Sequence, residues 1–175
     1  MLVKIIHTYN GAEFLMHDYF SSKSIIHQTN CTKTPQKNGI VERKHQHILN
    51  VSRALLFQSN LPLNFWCFAL SHAAYLINCI PTPFLQSVSP FEKLYQHACD
   101  ITNLHIFGCL CYVSTITAQH KKLDPRAHPS IFLGFQPHAK GYLLYYLHTH
   151  TTTISRHVIF YEDHFPSVPS PPPSL

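Results

Sequence analysis

Residues 34–45, TPQKNGIVERKH, gather one acid and three bases at the start of a stretch with helical spacing. Glu42 is the acid, and Lys37, Arg43 and Lys44 surround it. Basic side chains grouped at a helix start suit contacts to phosphate oxygens; the same charges also suit a solvated helix end. A second grouping is Cys109-x-Cys111 with His105. One intervening residue in a strand points both sulfurs to one face, whereas structural zinc sites use two to four intervening residues and a second ligand pair. The two cysteines therefore read as small buried apolar side chains. His27 and Cys31 are interrupted by a strand end and loop. His45 and His47 lie on the predicted helix as surface or core residues, and Phe65-Trp66 reads as core. No Gly-rich phosphate loop and no G-x-S-x-G elbow occur in a chain with 5 glycines.

The elements that must position these groups fall into two patterns. Residues 2–7 and 25–29 read as short strands, residues 13–23 have mixed helical character, and residues 30–39 form a loop. A long helix is expected from Asn38 or Gly39 to about Asn60, with Val41, Ile48, Val51 and Leu55 on its core side and Glu42, Gln46, Asn50 and Arg53 on a polar one. A second helix spans residues 63–79 and stops before Pro81 and Pro83. Ser89-Pro90 opens a third, over residues 91–97. From Leu104 the pattern changes: residues 107–114, 131–135, 142–147 and 152–160 are aromatic and β-branched with turns between them, which predicts a small barrel or sandwich. A domain boundary is expected near residue 100, and SVPSPPPSL at the end reads as an extended, disordered tail.

Residues 34–45 resemble the segment carrying the last catalytic acid of copia-type retrotransposon integrases, a TPQxNGxxERKH run. The resemblance continues through NLHIFGCLCYV (103–113), LDPRAHPSIFLG (123–134), KGY (140–142) and ISRHVIF (154–160). It implies three parts: residues 1–99 as the C-terminal half of an α/β RNase H-like catalytic core, residues 103–165 as an all-β SH3-like barrel, and residues 166–175 as a disordered Pro/Ser-rich linker. The family's chemistry is Mg²⁺-dependent strand transfer by an Asp-Asp-Glu triad, with two metals neutralising the attacking and leaving oxygens. Glu42 takes the place of the third acid and ancestral Mg²⁺ ligand, and Lys37, Arg43 and Lys44 take DNA-facing places.

Two departures bear on that chemistry. HTYNGAEF (7–14) matches the R-S-D-N-G-x-E-F run except that Tyr9 stands where the second Asp belongs, and a phenol with an ordinary pKa of about 10 is a poor Mg²⁺ ligand at neutral pH. The first Asp is expected upstream of these 175 residues; a longer product would still carry Tyr9. His7, Gln46 and Cys79 stand where arginine is usual, each one transition away from an Arg codon containing CG. The resemblance thus implies a remnant without strand-transfer activity and with weak DNA binding. The alternative is a domesticated, non-catalytic scaffold binding nucleic acid or protein. Polyprotein neighbours or a second copy are the other partners implied, and a plant is the implied host.

Bulk properties are compatible with this. Lys and Arg number 13 against 8 Asp and Glu, a net charge of +5 that suits a polyanionic partner. Fifteen histidines add charge below about pH 6.5. No apolar run reaches the roughly 20 residues of a membrane span, and no signal-length apolar core follows Met1. A nuclear or cytoplasmic location with reduced thiols is the expectation for the 6 cysteines.

Overall fold

A computed structural model of the chain describes residues 3–8, 11–12, 15–29, 39–114, 125–136 and 139–168. Tyr9, Cys31, Lys37, Lys121, Lys122 and the tail from residue 169 lie outside them. The chain forms two compact units, residues 1–47 and 48–175.

The first unit contains β1 (Ile5–Thr8), α1 (His17–Ser22) and β2 (Ile26–Thr29). β1 and β2 pair in parallel, Ile5 opposite Ile26 and Thr8 opposite Thr29. Phe20 is the buried apolar residue of α1, its ring 4.7 Å from that of His27. Ile5 and Ile26 are 48% and 57% exposed, so one face of the parallel pair is bare where such pairs are normally covered on both.

The helix α2 (Gly39–Ser59) starts in the first unit and ends in the second. Its buried side is the expected one from residue 48 onward, with Ser52 and Ser59 added to the stripe of Ile48, Val51 and Leu55. Ser52 and Ser59 are its buried residues, Ile48, Val51 and Leu55 are half-buried, and Val41 is exposed. The serines are tolerated because each hydroxyl donates back to the carbonyl four residues earlier, Ser52 to Ile48 and Ser59 to Leu55, both at 2.7 Å. A 3-10 turn at Leu63–Phe65 leads into α3 (Trp66–Cys79). Ser89 caps α4 (Pro90–Tyr95), its hydroxyl accepting from the Glu92 amide at 3.1 Å.

Five strands follow: β3 (Leu110–Ser114), β4 (Ala127–Phe135), β5 (Tyr142–Tyr146), β6 (Thr152–Ser155) and β7 (Val158–Tyr161). They form one antiparallel sheet in the order β6-β5-β4-β3-β7. The run expected as one strand over 152–160 is two strands on opposite edges. A flat sheet would hold those edges about 19 Å apart, at four spacings of about 4.8 Å. The step from Ser155 to Val158 spans at most about 11 Å. The sheet must therefore curl until its edges approach, which makes it a small barrel.

Two cores result. Cys109, Cys111, Val113, Phe132 and Leu144 fill the barrel with Phe160 and Phe165. Ile131 and Leu133, two residues apart in β4, face the opposite side by strand alternation. There they meet Leu61, Phe65, Ala69 and Phe107. This second core joins the helices to the barrel across the change of pattern near residue 100. Val168 also packs against it, so the tail expected to be disordered from residue 166 remains attached for its first three residues.

The expectation of reduced thiols is corrected at one place: Cys79 and Cys99 are joined as a disulfide. The chain leaves the end of α3, forms α4 and returns, bringing the two Cα atoms to 5.4 Å, within the usual disulfide range. Among the described residues no helix is long and apolar enough to cross a membrane.

Candidate nucleic-acid interface

Glu42 lies in the first turn of α2, where a carboxylate interacts favourably with the helix's unsatisfied amides. Glu42, Arg43 and Lys44 are all exposed, and so is the polar stripe that continues through Gln46, Asn50 and Arg53. Arg53 donates to the side-chain oxygen of Asn50 at 3.4 Å. The Arg43 guanidinium folds back toward the helix start, with one nitrogen 3.5 Å from where a Cβ on Gly39 would stand. The helix therefore presents Glu42 with Arg43 and Lys44 on an open surface; Lys37 lies outside the described residues.

Two-metal chemistry needs several carboxylates converging on one point. The described residues offer one exposed carboxylate here, and they contain no group of three or more His, Cys, Asp or Glu able to hold a metal. What the surface can do is attract phosphate.

The barrel holds the second set of expected residues. Cys109, just before β3, and Cys111 within it both lie in the barrel core, and the Cys111 thiol donates to the Ser130 carbonyl at 3.4 Å. Burial pushes both thiols up to about 12, aided by the Glu162 charge for Cys109 and by Cys109 for Cys111. They are protonated core residues. His105 stacks on Phe160 with ring centroids 3.6 Å apart and places Nδ1 2.6 Å from a Glu162 oxygen. On the barrel, the basic residues Arg126 and Lys140 are exposed. The Lys140 carbonyl accepts from Arg156 at 2.9 Å.

Sequence reasoning missed a cavity of about 500 Å³ between α3 and the β4–β5 side of the barrel. Phe68, His72, Tyr75, Phe135 and Leu143 line it, with the exposed thiol residue Cys67. His72 is 3% exposed and its Nδ1 has no hydrogen-bond partner. Burial lowers its pKa from 6.5 to about 4. The signal was available: His72 follows Phe65 and Ala69 at helical spacing, which places it on the apolar stripe of α3.

Comparison with known proteins accords with these elements. Residues 109–174 match the retroviral polymerase SH3-like domain family. The retrovirus-related Pol polyprotein from transposon RE1 of Arabidopsis thaliana is 41% identical over 158 residues, covering 90% of this chain and 11% of that polyprotein. The corresponding polyprotein from transposon TNT 1-94 of Nicotiana tabacum is 32% identical over 163 residues, covering 91% of this chain and 12% of its own length. The chain thus spans about a ninth of the curated relatives it matches. A chain of the simian T-cell lymphotropic virus intasome in complex with PP2A regulatory subunit B56 gamma superposes with a TM-score of 0.44 at 19% identity, over 88% of this chain and 55% of that one. That likeness carries no argument about this chain. The sequence is related over nine-tenths of its length to retrotransposon Pol polyproteins of the copia type, and its residues 109–174 match the retroviral polymerase SH3-like domain family.

Proposed function

We propose that this chain is a remnant of a retrotransposon integrase region that binds nucleic acid weakly through the start of α2 and does not transfer strands. The observation that carries the reading is Glu42 exposed beside Arg43 and Lys44 at the start of α2. Similarity to retrovirus-related Pol polyproteins supports this origin. Tyr9 stands in the second acid's place, so Glu42 has no partner of the right chemistry at that position. The parallel pair β1–β2, bare on one face, suits a piece of a larger sheet, in keeping with residues 1–99 as the C-terminal half of an RNase H-like core. On this reading Mg²⁺ belongs to the ancestral enzyme, DNA is the partner, and the protein acts in the nucleus or cytoplasm. A domesticated scaffold that binds protein instead is favoured by one observation, the shared core of helices and barrel.

The test is fluorescence anisotropy of a labelled DNA duplex titrated with the full chain across a salt series. Phosphate-driven binding weakens linearly in log–log form, with a slope of about 0.9 per phosphate contact. The variant Arg43→Ala/Lys44→Ala is expected to reduce the slope by about 2. Salt-independent binding, or a variant with an unchanged slope, removes the proposed surface. A strand-transfer assay with Mg²⁺ is expected to yield no product, and product formation would overturn the inactive reading.

A further inference from the structure

We infer that Cys79 and Cys99 form a reversible thiol–disulfide site that fastens residues 80–98 to α3. The inference is independent of any nucleic-acid role. Residues 80–98 include α4 and a short bridge between Thr82 and Val88. Their own hold on the molecule is thin. Ser89 is the one buried residue among them, α4 buries none of its side chains, and Phe84 is 98% exposed. The rings of Phe91, Tyr95 and His97 pack on one another, within the segment itself. A segment with so little buried apolar surface belongs to the low-stability end of a fold.

Its far end is nevertheless pinned. Besides the bond to Cys79, the Cys99 sulfur lies 4.0 Å from the Tyr75 hydroxyl, which donates to the Asp100 carbonyl at 3.1 Å. Tyr75 is also a wall of the cavity beside His72 and Phe135, its ring centroid 5.1 Å from that of Phe135. The disulfide therefore limits the freedom of the segment, and its Cys99 end lies beside one cavity wall.

The co-reactant is a low-molecular-weight disulfide such as glutathione disulfide. Cys99 is partly exposed and Cys79 is buried, so Cys99 reacts first. Its thiolate attacks one glutathione sulfur, forms a mixed disulfide and releases glutathione. The Cys79 thiolate then attacks the Cys99 sulfur, forms the protein disulfide and releases a second glutathione. Two protein thiols lose their protons and two electrons, and glutathione disulfide is reduced to two glutathiones.

The full chain is equilibrated in glutathione buffers of graded redox ratio, quenched by alkylation and analysed by peptide mass spectrometry, with amide hydrogen exchange on the same samples. The expected result is a Cys79–Cys99 cross-linked peptide that disappears on reduction and returns on oxidation. Reduction should speed exchange of the Lys93 and Gln96 amides roughly a hundredfold, the effect of releasing a loop of this length, while the Phe132 amide in the barrel keeps its rate. Cys99→Ser should behave as the reduced chain in oxidising buffer. Alkylated Cys79 and Cys99 in oxidising buffer, pairing of either with Cys67, equal exchange in both states, or barrel amides that speed up with the segment would each overturn the inference.

Discussion

Gly108 packs so closely on Ser59 that a Cβ at position 108 would stand 2.1 Å from the Ser59 Cβ. Ser59 is the last residue of α2 and Gly108 precedes β3, so the contact ties helix to barrel at one small residue from each. Gly108 also has φ +81°, a region that side chains disfavour. Gly108→Ala should therefore destabilise the protein by about 2–4 kcal/mol, combining left-handed strain with overpacking. Chemical denaturation measures the loss. Ser59→Gly in the same chain should recover part of it, and strictly additive effects of the two changes would show that the clash is not the cause.

The second core makes the barrel dependent on the helices. Phe65 is 3% exposed, and its ring meets Tyr145 edge-on at 5.0 Å. Phe65→Ala should cost about 3–5 kcal/mol, as for other large buried rings. A fragment of residues 103–168 lacks Leu61, Phe65 and Ala69, and so exposes Phe107, Ile131 and Leu133. It should bind a hydrophobic dye and melt without cooperativity, whereas residues 48–168 should unfold in one transition. A fragment 103–168 with a sharp calorimetric transition would contradict this.

These two sites mark where the sequence was readable. Elements with local signals came out within a few residues: Ser89-Pro90 opens α4, and Pro81 follows the end of α3. The exposed Glu42–Arg53 stripe followed from helical period alone. The change from period 3.6 to period 2 near residue 100 reports local conformation and says nothing of what packs across it. The packing of Phe65 and Ala69 on Ile131 and Leu133 is non-local. Ser52 and Ser59 were missed as core because their hydroxyls are satisfied within their own helix. The split of residues 152–160 into β6 and β7 was invisible because both halves alternate alike, and only barrel closure sends them to opposite edges.

Thiol reactivity separates the free cysteines. Cys67 is exposed, while Cys109 and Cys111 are fully buried with their thiols pushed up to about 12. The thiolate is the nucleophile. Brief alkylation of the native chain at pH 8 should modify Cys67 and leave Cys109 and Cys111 unmodified until denaturant is added. Labelling of Cys111 at the rate of Cys67 would mean that the barrel core opens freely.

His72 gives the fold a pH dependence of definite sign. Its ring lies among Phe107, Phe132 and Phe135, and its unpartnered Nδ1 lies 3.1 Å from where a Cβ on Gly134 would stand. Burial lowers the folded-state pKa from 6.5 to about 4. The unfolded chain therefore binds more protons than the folded one between those values. The neutral ring's stability is fully present above pH 6.5 and is lost as pH falls toward 4, by on the order of 3 kcal/mol for this group. His72→Leu keeps an apolar side chain of similar size and has no proton to bind. Subtracting its stability profile from that of the parent should isolate a slope of about one proton between pH 6.5 and 4. Parallel profiles in that window would show that His72 is protonated in the folded chain and that water reaches the ring.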